Sequence, residues 1–391
     1  MNTTQSFSSI KWKLEGDAPL WTLYFIFTIL ICPLVIYSST NILGYRNNNS
    51  NELYLAKQIM FSLLGFVLVY ITHKIPLEWL YKKANWVVLL AIIALVFTLF
   101  FGIKINDARR WISLGFVTVQ TSDFGKIAMI VGLSATLAKF NKELENYTYK
   151  ETFLKVYTIV GFIAGFTFLD NLSTTLMICF NALLIMLVSK VPKRHLLVTV
   201  LGAGLLLGTL LLFSEKITFI KRLQTWKNRV ENFSAADPEE SLQAERAKIA
   251  IANGSIFGKG PGNSIQKDFL PHPYSDFVFA LIIEEYGIIG AGALMILYLI
   301  LFFRVLYIIR QTKNLFSVYL GYGLVIMLFL QVIVNMGVCV GIFPVTGQPM
   351  PLISLGGSNY VFISITIGLL LNISKNNEKQ HGSIVSLENY C

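Results

Sequence analysis

The sequence predicts an all-α integral membrane protein with ten transmembrane helices, both termini cytoplasmic, and a long extracytoplasmic loop between helices 7 and 8. Three observations predict it. The 391 residues are 54% hydrophobic and 14% charged, with a mean hydropathy of +0.62. Soluble chains run at about 45–50% apolar and about 25% charged, so lipid is the solvent that fits. Ten windows approach the ~20 apolar residues that a span requires, and lysine and arginine are divided unevenly among the loops that join them. The same composition excludes a disordered chain and a nucleic-acid reader, although the net charge is +10 and the pI about 9.3.

The windows are Leu20–Asn41, Leu53–His73, Ala84–Lys104, Phe124–Phe140, Phe153–Leu169, Ser173–Ser189, Leu196–Ser214, Phe277–Ile309, Leu315–Val340 and Asn359–Ile373. A backbone in lipid must satisfy its own hydrogen bonds, so each is read as a helix. Lys11, Lys13, Glu15 and Asp17 precede the first window and no small-residue cleavage site follows it, which makes it an uncleaved first helix. With the N-terminus inside, cytoplasmic segments hold 17 of the 32 Lys and Arg, the short outer loops six, and the long loop nine. Long loops count little in the positive-inside rule, so this asymmetry sets the orientation. The chain then divides into a cytoplasmic tail, 1–19, a membrane domain, 20–373, with the outer loop 215–276, and a cytoplasmic tail, 374–391. Within that loop, Glu240 to Ile256 reads as an amphipathic helix: Leu242, Ala244, Ala247, Ile249 and Ile251 interleave with Gln243, Glu245, Arg246 and Lys248.

Cys32, Cys179 and Cys339 fall inside apolar runs, Cys391 ends the chain, and His73, His195, His272 and His381 are scattered, so no ligand spacing for a structural metal emerges. The informative residues gather on the outer side. Asn106 to Trp111 closes the third helix, and Gln120 to Lys126 opens the fourth. The guanidinium forks of Arg109 and Arg110 suit phosphate, and Trp111 suits a sugar ring; snorkelling and an interfacial aromatic belt are the structural alternatives. Asp276, where water meets hydrocarbon, suits a general base, while an N-cap formed by Ser275 or Asp276 is the alternative. Glu284 lies about 12 Å deeper on the same helix and is rotated by about 80° from Asp276; with Glu285 it must face the bundle interior or a wet cavity, as part of a pathway or a structural pair. Before the last helix, Gly356 and Gly357 permit a close turn, Ser358 or Asn359 can cap it, and its N-terminus favours an anion. Gly258 to Ser264 lacks the GxxxxGK[ST] spacing and follows no strand, which excludes nucleotide use.

These motifs resemble the SEDS family of FtsW, RodA and SpoVE. The resemblance is carried by Ala108-Arg109-Arg110-Trp111, Gln120 to Lys126, Gln243-Ala244, Gly258 to Lys267, Ser275 to Phe279, Glu284 to Gly287 and Pro351 to Ser358, in that order. It implies a ten-helix peptidoglycan glycosyltransferase of the cytoplasmic membrane. Such an enzyme polymerises lipid II on the outer face, beside a class B penicillin-binding transpeptidase and other division or elongation membrane proteins. It also implies Asp276 as the catalytic residue, and Arg109, Arg110, Trp111, Lys126, Gln243, Lys259, Lys267, Ser354 and Ser358 as binders of lipid II and the undecaprenyl-linked glycan. No cofactor is required by these motifs, although a divalent cation, Mg or Mn, could assist at the leaving group. The chain departs from the family's GARRW at Asp107, from QPSE at Thr121 and Asp123, from PDxGT at Asp170, Asn171 and Ser173, and from LPExHTDF at His272, where the glutamate is lost, and at Tyr274 and Ser275. The Asn-Leu-Ser-Thr form at 171–174 is closer to divergent FtsW proteins than to RodA, which points to septal synthesis, with elongation as the alternative. A lipid II flippase and a non-catalytic scaffold are the rival functions.

Overall fold

A computed structural model describes residues 15–40, 51–105, 108–113, 115, 118–212, 238–270 and 273–388. Lys11, Lys13, Arg46, Asn106, Asp107, Pro271, His272, Cys391 and the first part of the long loop lie outside them. Helices coincide with every apolar window: α1 (Ala18–Ser39), α2 (Asn51–Lys74), α3 (Leu77–Phe101), α4 (Thr121–Phe140), α5 (Tyr149–Asp170), α6 (Leu172–Val188), α7 (Lys193–Leu212), α9 (Val278–Arg310), α10 (Leu315–Cys339) and α11 (Gly357–Glu388). Seven of them, α1, α2, α3, α5, α9, α10 and α11, are long and apolar enough to cross a membrane, and α6 is a shorter apolar helix. One further helix, α8 (Pro238–Gly254), occupies the long loop close to the expected amphipathic stretch.

The boundaries follow local chemistry. Asp17 accepts from the N–H of Leu20 and starts α1. A capping box between Thr148 and Glu151 starts α5 four residues ahead of its apolar window. The third helix begins at Leu77, seven residues before the expected Ala84, because Tyr81, Lys82 and Lys83 sit on its exposed face where charge carries no penalty. The last helix continues through Ser374 to Glu388, so residue 373 is not a structural boundary.

The all-α expectation needs one correction. Residues read as the end of the third helix form an antiparallel sheet of β1 (Ile103–Ile105), β2 (Ala108–Ser113) and β3 (Thr118–Gln120). Gly102, in extended conformation, closes α3 by donating its N–H to Thr98 at 2.8 Å. Beyond it Ile103, Ile105, Ile112, Thr118 and Val119 are β-branched and suit strands. The register pairs Lys104 with Arg109, and Trp111 with Gln120. Both arginines therefore stand on the central strand of a sheet whose last strand leads directly into α4.

In the bundle, α4 is buried nearly all round, and α10 and α11 are largely enclosed, whereas α2, α3 and α9 expose broad apolar faces that suit lipid. At the end away from the sheet, Asp17 accepts a bidentate contact from Arg304, and Glu15 pairs with Lys375 at 2.7 Å, which ties the start of α1 to α9 and α11. The long helix α9 is not one uninterrupted helix: Gly287 adopts φ 70° and ψ −172° and breaks it. A Cβ there would lie 2.2 Å from the carbonyl oxygen of Ile256. Gly287→Ala is therefore expected to lower stability by about 1–3 kcal/mol, read as a fall in melting temperature of the purified protein. Gly292→Ala in the same helix meets nothing within 4 Å and is the neutral control.

Candidate active site

A helix broken in an apolar bundle leaves polar backbone groups that something must satisfy. Here the segment after α8 does so. Lys259 and Gly260 donate their N–H groups to the carbonyls of Glu284 and Glu285, both at 2.9 Å. In return, Ile288 and Ile289 donate to Ser255 and Ile256, at 3.1 and 3.3 Å. Backbones this close exclude side chains. A Cβ on Gly258 would fall 2.2 Å from the Glu285 carbonyl, and one on Gly254 would fall 2.1 Å from that of Ile283. The glycine-rich run that imitates a phosphate loop is thus the splint of a broken helix.

Glu284 locks the splint. Its carboxylate, with no exposed surface, accepts from Lys259 Nζ at 3.2 Å, Asn253 Nδ2 at 3.4 Å, the Ser264 hydroxyl, and the N–H groups of Ile265 and Gln266 at 3.3 and 3.1 Å. Glu285 accepts from the Ser38 hydroxyl of α1. Lys267 is buried and donates to the Gly262 carbonyl at 2.6 Å. Lys126, also buried, pairs with Asp123 at 2.8 Å. Three of the expected substrate-binding cations, Lys126, Lys259 and Lys267, are therefore committed to the protein itself. Gln243 is half-buried on α8, whose enclosed face is Ala247 and Ala250; Leu242, expected on that face, is exposed.

Asp276 has a different setting. It stands just ahead of α9, partly exposed, and Ser275 Oγ donates to its Oδ1 at 2.9 Å. The N-cap alternative does not hold: the cap position is Phe277, with no side-chain cap bond. The loop around Asp276 is clamped from two sides. From α10, Asn335 Nδ2 donates to the Asp276 carbonyl at 3.0 Å and to the Gln348 carbonyl at 2.9 Å. From the loop before α11, Ser354 Oγ donates to the Ser275 carbonyl at 2.8 Å, and the Leu355 N–H to the Tyr274 carbonyl at 2.9 Å. Ser354 is thus a clamp, not a group left open for a ligand.

The clamp continues towards the sheet. Gln348 Nε2 donates to Thr174 Oγ1 at 3.1 Å, and the Thr174 N–H donates to Asn171, the N-cap of α6. Next to Asn171, the Asp170 carbonyl accepts from Arg110 Nε at 3.0 Å. Arg109 Nη1 donates to the carbonyls of Phe100 and, at 3.3 Å, Leu99. Both arginines thus cap helix C-termini, where positive charge is favoured. Arg109 stays exposed, and Trp111 is half-buried on the same strand. Ser358 is buried, and its Oγ meets no partner. Sequence reading missed Asn335, Gln348, Asn253 and Ser38. The available signal was a polar side chain within or next to an apolar run, which has to find a partner.

Among the described residues no group of three or more His, Cys, Asp or Glu side chains could hold a metal ion. Ser275 Oγ, the Asn335 amide and the Cys339 thiol are among the groups that meet Asp276, and the chemistry below is derived from the chain's own groups.

A family model described as cell cycle protein, covering FtsW, RodA and SpoVE, matches residues 19–379. The probable peptidoglycan glycosyltransferase FtsW of Coxiella burnetii is 30% identical over 385 residues, spanning 96% of this chain and 100% of the relative. Its counterpart in Saccharophagus degradans is 31% identical over 378 residues, spanning 93% and 94%. Among solved structures, a chain of a peptidoglycan synthase complex that coordinates polymerization and crosslinking superposes with a TM-score of 0.72 at 23% identity, over 93% of this chain and 98% of that one. The rod shape determining protein RodA of Thermus thermophilus gives 0.67 at 22% identity, over 93% and 97%. These two likenesses establish a shared fold.

Glu284→Ala strips a buried acceptor from Lys259, Ser264 and two backbone amides. The expected cost is about 3 kcal/mol, read as a lower melting temperature together with new protease cleavage within 255–267. Unchanged stability would show that the splint holds without its carboxylate.

Proposed function

The chain belongs to the FtsW/RodA/SpoVE family, and from that premise we propose that it is a peptidoglycan glycosyltransferase that polymerises lipid II into glycan strands for septal wall synthesis. Ten crossings of the cytoplasmic membrane, both termini inside and the sheet and Asp276 outside are part of the proposal. A helix at each apolar window and the cytoplasmic excess of Lys and Arg support it. A class B penicillin-binding transpeptidase is the proposed partner, in keeping with the synthase complex whose chain shares this fold.

One observation carries the catalytic assignment. Of the acids discussed at this end of the bundle, Asp123 and Glu284 are buried against lysines, and Glu285 is buried against Ser38. Asp276 alone among these four is partly open, on a loop whose backbone is clamped. A general base needs both reach and fixed position. In the proposed reaction, the Asp276 carboxylate takes the proton from the 4-hydroxyl of the GlcNAc of an incoming lipid II. That oxygen attacks the anomeric carbon of the MurNAc at the reducing end of the growing strand. The bond to the undecaprenyl diphosphate breaks with inversion, and the electron pair leaves on the diphosphate. Charge develops on the leaving group, where pre-placed donors contribute most. The exposed Arg109, already fixed through Nη1, is placed to supply them.

Asp276→Asn is expected to reduce polymerisation of purified lipid II, by the protein with its partner, by about 10²–10⁴-fold at unchanged melting temperature. Full activity in that variant would refute the assignment. Transfer of labelled lipid II across a liposome bilayer without polymer would replace polymerisation with transport.

A further inference from the structure

The segment that clamps the Asp276 loop through Ser354 and Leu355 leads straight into α11, and the first turn of that helix is unusual. Its leading N–H groups, those of Gly357, Ser358 and Asn359, precede the first intrahelical acceptor, since the earliest bond runs from the Tyr360 N–H to the Gly356 carbonyl at 2.9 Å. In the same turn Ser358 keeps 2% of its surface, and its hydroxyl has no partner. A buried hydroxyl left unpaired is disfavoured unless a ligand completes it.

Helix periodicity shows which way this hydroxyl faces. Tyr360 is 200° from Ser358 and lies against α2, where a Cβ on Gly65 would come within 2.8 Å of its ring. Phe362 is only about 40° from Ser358, and its ring stacks on Phe124 of α4 with centroids 6.2 Å apart. Ser358 therefore faces the start of α4. Phe124 is three residues into α4 and Phe362 five into α11, so the two helices begin within about 3 Å of the same level. The start of α4 also lacks a side-chain cap, since Gln120 occupies the cap position and donates to Ser122 instead. Its first-turn carboxylate, Asp123, is neutralised by Lys126. Two parallel helix N-termini, an unpaired buried hydroxyl between them, and the Arg110 strand alongside together make a seat for a compact anion.

We propose that the paired N-termini of α4 and α11, with Ser358 between them, bind the diphosphate of a polyprenyl-linked sugar. The site would hold the leaving group while Asp276 acts on the neighbouring loop, which Ser354 and Leu355, three to four residues before Ser358, bind directly. This rests on the glycosyltransferase reading and assigns the leaving-group contacts to backbone amides and a serine in addition to Arg109. Free pyrophosphate and an anionic phospholipid headgroup share the phosphate chemistry, and the test separates them.

The measurement is binding to the full-length chain with its transpeptidase partner in nanodiscs, in the Asp276→Asn background so that no turnover intervenes. The probes are undecaprenyl diphosphate, undecaprenol and inorganic pyrophosphate, in neutral and in phosphatidylglycerol nanodiscs. Undecaprenyl diphosphate is expected to bind about tenfold more weakly after Ser358→Ala and about 100-fold more weakly after Ser358→Asp. Ser358→Thr, which restores the hydroxyl, is expected to recover most of the affinity. Inorganic pyrophosphate should compete and undecaprenol should not. Equal affinity in Ser358→Ala and Ser358→Asp, at melting temperatures matching the parent, overturns the proposal. So does equal binding of undecaprenol, or complete displacement by phosphatidylglycerol, which would make this a general headgroup site. An active Asp276→Asn chain would sink the catalytic reading while leaving the binding result to stand by itself.

Discussion

The break at Gly287 is the constraint on which the rest of this end of the molecule depends. An apolar helix interrupted at depth has carbonyls and N–H groups with no intrahelical partner, and neither lipid nor apolar side chains can supply one. The chain meets the demand with backbone from the segment after α8, in reciprocal pairs on both sides of the break. Three glycines make that approach possible, and the carboxylate of Glu284 holds the segment down through a lysine, an asparagine, a serine and two amides. The consequence reaches Asp276. Residues 278–286 become a short, separately anchored piece whose direction is set by the splint, and Asp276 is carried at its leading end.

A second feature is that neutral dipoles make the connection between Asp276 and the sheet. Asn335, Gln348, Thr174 and Asn171 pass from the Asp276 carbonyl to the turn that Arg110 holds. Amides and hydroxyls span this enclosed region without the desolvation penalty of buried charge, and each bond fixes a backbone position. Two of the buried charges at this end are paired locally, Asp123 with Lys126 and Glu284 with Lys259. The geometry of the candidate site is therefore set before any substrate arrives, which electrostatic preorganisation requires.

Much of this was legible in the sequence. Apolar length placed the helices, because span length is a requirement of the bilayer. Alternation of apolar and polar residues placed α8, and the motif order placed Asp276, the arginines and the glycine run on one end. Three things were not legible. The short strands carrying Arg109 and Arg110 are too brief for period-2 alternation to stand out beside a helix end. The fates of Lys126, Lys259 and Lys267 depend on partners three to 25 residues away that only the fold brings within reach. The break in α9 leaves the hydropathy of its window unchanged, since a glycine in an apolar run reads the same whether it is helical or left-handed. Asn335 stood in plain view as an amide inside an apolar helix, but its acceptors lie 13 and 59 residues away.

The commitment of the lysines bears on how such a site can turn over. Pulling Lys126 or Lys259 from its carboxylate to meet a diphosphate would strand a buried charge, a penalty of several kcal/mol that the new contact would first have to overcome. Those cations therefore act as structure, and the charge that develops on a leaving group has to meet donors whose bonds to the protein survive its arrival and departure. Arg109 satisfies this condition, because its Nη1 is held on the α3 carbonyls while the residue stays exposed. The amides at the start of α11 satisfy it too, since they have no intrahelical acceptor to give up. Donors of this kind stabilise a transient anion without rearrangement, and the α11 amides do so with partial charges alone. That combination suits a reaction whose diphosphate product must leave before the next sugar unit can enter.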